Sequence, residues 1–250
     1  MKKYDFTIIT VVKNDQKNIE KTLNSISKLK FKNFEYIIID GKSKDKTVKL
    51  IKKYKKIINV FISEADNGIY DAMNKGIKIA KGRIIVFCNS GDVFFPNALK
   101  IVKNKFKPQI DFVFGTVVRH YTKGTIIKHG FNKQRIFYNF DFATSHSTGF
   151  FLKKKIYDKL GYYDNNFRCS ADYDFYLRMI LYNKFQGAYT NKKELIGEVS
   201  SGGFSSSLSF IQHLNEEKNI RLKNKQNKII IILIYLNSIV RNFKKILQEL

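Results

Sequence analysis

Short apolar runs alternate with helical periods along the first part of the chain, and this alternation leaves few folds open. Four runs rich in β-branched residues predict strands at Phe6–Val12, Phe34–Ile39, Asn59–Ile62 and Arg83–Cys88. Continuous apolar runs of this kind are typical of strands that are covered on both faces. Because helical periods separate them, the pattern predicts a series of βαβ units and therefore a parallel sheet between helices.

The intervening segments have the spacing of amphipathic helices. Apolar residues at i, i+4 and i+7 predict the first helix: Ile19, Leu23 and Ile26. Two further helices are predicted at Thr47–Tyr54 and Tyr70–Ala80, and Gly82 is placed to end the second of them.

Polar residues follow the carboxyl ends of these strands, where ligands bind in an open parallel sheet. The loops hold Asn14, Asp40, Asp66-Asn67-Gly68 and Asn89-Ser90-Gly91-Asp92. Carboxylates thus recur along one rim of the predicted sheet, and the chemistry of the chain is expected there.

The second half is less regular. A strand is predicted at Phe112–Val118 with a partner at Thr125–Lys128, a helix from Ala171 to about Tyr182, and a loop over residues 190–210. With 250 residues, 44% of them hydrophobic, the chain can bury one sizeable core. We therefore expect one domain over residues 1–208, with halves at 1–95 and 96–208, and a tail over residues 209–250.

The chain is strongly basic, with 46 Lys and Arg against 21 Asp and Glu and a net charge of +25. Such a charge favours an anionic partner, although a bias in composition can also produce a merely solvated basic surface. The two cysteines, Cys88 and Cys169, lie far apart, and Asp5 interrupts the short N-terminal apolar run. A cytoplasmic location is expected.

The tail from Phe210 to Leu250 is helical in composition and basic. Its apolar stretch Ile229–Leu236 continues into further apolar residues and is flanked by Lys228 and Arg241. A helix of this kind can lie on an anionic membrane surface. The alternatives are a helix that packs on the core or one that joins two copies in a homodimer.

Several motifs in order resemble the inverting, GT-A-type glycosyltransferases of family 2, in particular bacterial enzymes that assemble capsule, exopolysaccharide and lipopolysaccharide. The matching segments are Thr7–Asn14 (TIITVVKN), Ile37–Thr47 (IIIDGKSKDKT), Glu64–Gly82 (EADNGIYDAMNKGIKIAKG) and Phe87–Asp92 (FCNSGD). The resemblance implies a Rossmann-like αβα sandwich with a mostly parallel central sheet. It also implies transfer of a sugar from a nucleotide-sugar donor, a UDP-sugar, to a surface-glycan or lipid-linked acceptor.

The donor would lie along the rim. The residues that the resemblance assigns to it are Thr10, Val12, Asn14, Asp40, Asn67, Asn74, Asn89, Ser90 and Gly91. A carboxylate at a strand end, such as Asp40, can accept a charge-assisted hydrogen bond from the N–H of a uracil-like base. Its alternative role is to cap the turn that follows, which Asp45 does more naturally.

A divalent cation, Mn²⁺ or Mg²⁺, is the implied cofactor, because it stabilises the charge that develops on the leaving diphosphate. Asp92 is the predicted ligand. The chain departs from the commoner acidic run of the family, since Asn89 and Gly91 stand where carboxylates are frequent. These ions need only one or two protein carboxylates besides phosphate and water.

Asp172, in the segment Ser170-Ala171-Asp172-Tyr173-Asp174, takes the position of the general base that removes the proton of the acceptor hydroxyl. Helix geometry turns Asp174 to nearly the opposite side. His146, Gly202, Gly203 and Arg221 are assigned to the acceptor side or to a closing loop.

Three other interpretations remain open. A sugar nucleotidyltransferase would carry a glycine-rich basic loop after the first strand, which Val11–Asp15 lacks. A basic RNA-binding module would expose aromatic residues among basic ones, whereas Phe6, Phe34 and Phe87 fall in predicted buried runs, so no nucleic-acid partner is expected. The third interpretation is a protein that keeps the glycosyltransferase fold but has lost the transferase activity.

Overall fold

A seven-stranded sheet forms the centre of the computed structural model, which describes residues 4–121, 124–138, 142–143, 147–202 and 208–249. In spatial order its strands are β10 (Gly187–Tyr189), β6 (Phe112–Phe114), β9 (Phe150–Lys153), β4 (Ile84–Phe87), β1 (Phe6–Val12), β2 (Phe34–Asp40) and β3 (Val60–Ser63). Strand β1 pairs in parallel with β2 and β4, and β2 pairs in parallel with β3. Strand β9 is antiparallel to both of its neighbours. The predicted mostly parallel sheet is confirmed.

Helices cover both faces of this sheet because successive strand residues point to opposite sides. Ile8 and Val12 of β1 pack in one core, with α1 (Ile19–Ser27), α2 (Thr47–Lys52) and α4 (Ala98–Lys105). Ile9 and Val11 pack in the other core, with α3 (Ile69–Ile79), α5 (Lys154–Leu160) and α6 (Ala171–Tyr176). The αβα sandwich is therefore as predicted. Edge strand β3 is the exception, since its residues are only half-buried or exposed.

The predicted strand Phe112–Val118 is wrong as a single element. It divides at Gly115 into β6 and β7 (Thr116–Tyr121), and β7 joins a second sheet of order β5 (Val93–Phe94), β11 (Leu195–Val199), β7 and β8 (Gly124–Lys128). A Cβ at Gly115 would lie 2.6 Å from Ile196 Cδ1, so only glycine lets the chain cross between the sheets here. The predicted partner strand Thr125–Lys128 is confirmed as part of β8.

The prediction of a loop over residues 190–210 is also wrong, because β11 lies within it and pairs in parallel with β7. The helix predicted from Ala171 is present. It runs as α6 to Tyr176 and continues to Tyr182 in the wider turns of a π-helix.

The tail is helical, as predicted, but it is not one unit. It forms α7 (Phe210–Lys223), α8 (Lys228–Arg241) and α9 (Phe243–Glu249). Helix α7 begins with a capping box between Ser209 and Gln212 and buries Ile220 completely in the core that contains α3 and α6. The boundary predicted after residue 208 therefore does not separate α7 from the domain. None of the helices in the described ranges combines the length and the apolar character needed to cross a membrane.

Replacing Ile220 by alanine should lower the free energy of unfolding by about 2–5 kcal/mol, because it leaves a cavity in the shared core. Urea denaturation followed by circular dichroism measures the change. Leu222→Ala is the matched control, since Leu222 is 43% exposed on the same helix and should cost much less. Equal, small losses in both variants would show that α7 is not part of the domain core.

Candidate active site

One edge of the large sheet collects the loops that the sequence marks as functional. Val12 lies beside Asp40 in the β1–β2 register, and Asp40 lies beside Ser63 in the β2–β3 register. Strand β4 ends at the same edge, and antiparallel β9 begins there. The loops after β1, β2, β3 and β4 and the 3₁₀ turn Ser147–Gly149 before β9 therefore form one rim.

Asp40 is fully buried in this rim, and its carboxylate stabilises the turn that follows it. Its carboxylate accepts hydrogen bonds from Ser43 N at 3.1 Å and from Ser63 Oγ at 2.6 Å. Asp45, just before the N-cap residue Lys46, accepts from Thr47 N, the first N–H of α2, at 2.9 Å. Both carboxylates thus shape the loop after β2, and contact of Asp40 with a base stays a prediction.

Lys13, in the loop after β1, and Asp66, in the loop after β3, form an ion pair, and neither was predicted as a site residue. Lys13 Nζ lies 3.3 Å from Asp66 Oδ1. A Cβ on Gly41 would lie 2.1 Å from Asp66 Oδ2, so the glycine leaves the space that this carboxylate occupies. The position of Asp66 just after a predicted strand was the sequence feature that could have indicated a place in the rim.

Asn14 and Asp15 tie the loop after β1 to its neighbours. Asn14 Oδ1 accepts from Lys44 N at 2.7 Å, and Asn14 has a φ of 51°, a left-handed conformation that asparagine tolerates. Asp15 Oδ2 accepts from Ser90 Oγ at 2.6 Å. No sequence motif pointed to Asp15, which fixes the loop after β1 to the turn after β4.

Asp92 joins three separate segments of the chain. It is 4% exposed, and its Oδ1 accepts from Ser200 N at 3.0 Å. Thr148 Oγ1 donates to its Oδ2, and Thr22 Oγ1 donates to its carbonyl oxygen. Gly91, beside it, has a φ of 92°, which glycine adopts without strain.

Asn89 faces the same turn and has a buried oxygen without a partner among the described residues. Its Nδ2 donates to Ser147 Oγ at 3.0 Å, whereas its Oδ1 accepts nothing. A buried acceptor of this kind is costly unless a ligand or water satisfies it. Asn89 Oδ1 is therefore available to a donor or a cation.

These oxygens fit a divalent cation that is held mainly by its substrate. Asp92 and Asn89 offer the hard oxygen ligands that Mg²⁺ and Mn²⁺ prefer. The described ranges contain no group of three or more His, Cys, Asp and Glu residues that could hold a metal on their own. The remaining ligands would have to come from diphosphate oxygens and water.

Asp172 lies at the start of α6 and is held from two directions. Its Oδ1 accepts from Tyr173 N at 2.9 Å and from Tyr70 Oη, on α3, at 3.1 Å. Tyr70 Oη also lies 2.8 Å from Cys169 O. Helix α3 follows the Asp66–Gly68 loop, so Tyr70 connects the rim to the segment that carries Asp172.

The surroundings of Asp172 suit a base that works near neutral pH. Burial raises the pKa of the carboxyl group to about 6, although hydrogen bonds from Tyr173 N and Tyr70 oppose the rise. The charge of Glu216 on α7 raises it further. A carboxylate with such a pKa accepts a proton more readily than an ordinary aspartate.

Glu216 binds the backbone just before Asp172, and no signal in the sequence pointed to it. Its carboxylate accepts from Cys169 N at 3.0 Å and also from Arg168 N. Asp174 faces the other side, as predicted, and pairs with Arg178 Nε at 2.9 Å. The segment that carries Asp172 is thus held by α3 and by α7.

Three predicted site residues are buried within the protein by other contacts. Thr10 is fully buried and donates to Cys88 O at 2.7 Å. The amide of Asn74 binds Tyr163 and Asn165 and joins α3 to the second half. Arg221 is 1% exposed and binds Glu217, Gln226 and Phe137 O, so its assignment to a closing loop is wrong.

The other predicted positions are placed as follows. Val12 ends β1, and its carbonyl accepts from Gly41 N at 2.8 Å. Asn67 and Gly202 are exposed. His146 and Gly203 lie outside the described residues.

With this geometry, comparisons with known proteins decide the family. The family model described as "Glycosyl transferase family 2" matches residues 7–181. The chain belongs to this family. Its fold is the GT-A fold.

One curated relative is "UDP-Glc:alpha-D-GlcNAc-diphosphoundecaprenol beta-1,3-glucosyltransferase WfgD" of Escherichia coli, 29% identical over 117 residues, which are 46% of this chain and 46% of the relative. The matches span less than half the length of the curated relatives.

Solved structures share the fold. Staphylococcus aureus TarS 1–349 in complex with UDP-GlcNAc has a TM-score of 0.72 at 19% identity, covering 96% of this chain and 73% of that one. The Pyrobaculum calidifontis mannosyltransferase in complex with GDP-Man and Mn²⁺ has a TM-score of 0.65 at 13% identity, covering 94% and 69%.

The raised pKa of Asp172 predicts how stability depends on pH. The folded carboxyl stays protonated up to a pKa of about 6 and the unfolded one only to 3.8, so the folded state binds more protons between these values. The proton on the folded Asp172 carboxyl therefore stabilises the protein fully below pH 4, and this stabilisation is lost as pH rises through about 6. Asp172→Asn removes the cost of burying a charged carboxylate. The variant should therefore gain about 1–3 kcal/mol in free energy of unfolding relative to wild type between pH 4 and pH 7.5. Urea titrations at both values measure it, and an unchanged difference would show that Asp172 has an ordinary pKa.

Proposed function

We propose that the chain is an inverting glycosyltransferase that moves a sugar from a UDP-sugar to a glycan or lipid-linked glycan acceptor of the bacterial surface. The observation that carries this proposal is the position of Asp172: it lies at a helix start, with a raised pKa, clamped by Tyr70 to the helix that follows the nucleotide rim. Family membership supports the reaction class, and the contacts of the individual residues support the roles proposed for them.

The chain's own residues perform the transfer in one displacement. The donor lies along the rim, with the base near Asp40, the ribose near Asn89 and the diphosphate at the turn that ends with Asp92. A divalent cation at Asp92 and Asn89 Oδ1 would stabilise the negative charge of the diphosphate. Asp172 accepts the proton of the acceptor hydroxyl while that oxygen forms its bond to the anomeric carbon. The bond from this carbon to the diphosphate breaks with its electron pair, and the opposite anomer results.

The donor and acceptor classes rest on the relatives. TarS has been solved with UDP-GlcNAc, and the name of WfgD gives UDP-Glc as donor and a diphosphoundecaprenol-linked sugar as acceptor. A lipid-linked acceptor would place the reaction at the cytoplasmic face of the membrane. The basic character of the chain, +25, suits phosphorylated donors and acceptors alike.

Asp172→Asn should abolish sugar transfer, by at least about a thousandfold, while UDP still binds with wild-type affinity, because the amide cannot accept the proton. In the wild type, kcat should fall as pH drops below about 6, where the carboxylate becomes protonated. Product formation is followed by mass spectrometry and UDP binding by calorimetry. Asp158→Asn, on the exposed side of α5, is the matched control and should keep full turnover. Wild-type turnover in Asp172→Asn would remove the assignment.

The metal is tested through nucleotide binding. UDP should bind at least about tenfold more weakly without Mn²⁺ than with it, because phosphate oxygens complete the coordination of the ion. Asp92→Asn should lose most of that difference, while Mn²⁺-free binding changes little. If Mn²⁺ has no effect on UDP affinity in the wild type, the proposed metal site is wrong.

A further inference from the structure

The last two helices expose a continuous apolar face. Six large side chains, each more than half exposed, follow one another at helical spacing: Ile229, Leu233, Leu236, Val240, Phe243 and Leu247. We call them the α8–α9 face. Exposed apolar surfaces of this extent mark contact sites for proteins or membranes.

The opposite side of α8 is bound to the domain. Ile231 is 3% exposed, and Tyr235 Oη donates to Asn215 Oδ1 on α7 at 3.0 Å. Lys218 Nζ lies 5.0 Å from the centre of the Tyr235 ring. The outward direction of the α8–α9 face is therefore set by these contacts with α7.

Basic residues accompany the face. Lys228, Arg241 and Lys244 lie on α8 and α9, and none of them forms an ion pair within the part of the chain that the structure describes. Glu249 is the single acidic residue between positions 228 and 250. An apolar stripe with basic flanks is complementary to a surface that is apolar inside and anionic outside.

We propose that the α8–α9 face binds an anionic membrane surface, with α8 lying in the plane of the interface. Helix α8 has 14 residues and is about 21 Å long, shorter than the hydrocarbon core of about 30 Å, so it does not span the bilayer. A second copy of the chain is a poorer occupant, because two molecules of charge +25 with basic residues beside the contact repel each other.

The arrangement has a consequence for the proposed reaction. Helix α7, which carries the membrane-facing helices, also supplies Glu216, which holds the backbone before Asp172. The base segment is thus attached, through one helix, to the layer that contacts the membrane. An acceptor whose lipid stays in the bilayer would meet the enzyme from that side.

Co-sedimentation of the full chain with vesicles tests the proposal without any nucleotide. Wild type should bind vesicles of phosphatidylcholine with about one third phosphatidylglycerol, bind pure phosphatidylcholine far less, and be released as salt is raised. The double variant Leu233→Glu/Leu236→Glu should bind at least about tenfold more weakly. The matched control Ile126→Glu/Ile127→Glu makes the same changes at exposed positions of β8 and should bind as wild type.

A second variant keeps the apolar face and removes its charges. Lys228→Gln/Arg241→Gln/Lys244→Gln should lose the preference for anionic vesicles with an unchanged melting temperature. Wild-type binding by the Leu233→Glu/Leu236→Glu variant, or no vesicle binding by wild type, would overturn the proposal. So would sedimentation velocity that shows a lipid-free dimer of wild type, a monomer of this variant and no vesicle binding by either. UDP affinity, measured separately, reports on the proposed function and is expected to stay unchanged in these variants.

Discussion

The parallel pairing of β1 with both β2 and β4 is the constraint on which the site depends. It brings the ends of the three strands to one edge, so residues far apart in sequence become neighbours. Hydrogen bonds then lock the loops to each other: Lys44 N to Asn14 Oδ1, and Ser90 Oγ to Asp15 Oδ2. A one-residue slip in either pairing would turn every side chain of the strand to the other face and dismantle both cores.

The second half of the chain completes the site through a few long-range contacts. Thr148 and Ser200 bind the carboxylate of Asp92, and Tyr70 binds that of Asp172. Asn74 ties the same helix, α3, to Tyr163. Because α3 carries both Tyr70 and Asn74, it fixes the segment that contains Asp172 relative to the rim. The tail takes part as well, through Glu216 and the buried Ile220.

The sequence predicted the first half of the fold well because its signals are local. The period of two in the strands, the period of 3.6 in the helices and the polar residues at strand ends all lie within short windows. The assignments of Asp92 and Asp172 rest on equally short, contiguous motifs, and their roles stay predictions. It failed at Gly115, where the change of sheet depends on Ile196, a residue far along the chain.

The other wrong or missing assignments share one physical cause: the contacts that decide them join residues far apart in the sequence. A buried arginine and a cleft arginine look alike in sequence, and Arg221 proved to be buried against Phe137 O and Glu217. Thr10 was predicted to contact the donor, but its hydroxyl donates a hydrogen bond to Cys88 O inside the protein. Glu216 gave no signal because its partners are backbone N–H groups of a distant segment.

We propose that the turn at Asn89–Asp92 and the carboxylate of Asp172 face one binding site for a nucleoside diphosphate. A crystal structure of the chain with UDP and Mn²⁺ tests this most directly. We expect the diphosphate between that turn and Asp172, with the cation against Asp92 and Asn89 Oδ1. Binding of UDP at a site from which Asp172 is screened by the protein would contradict it.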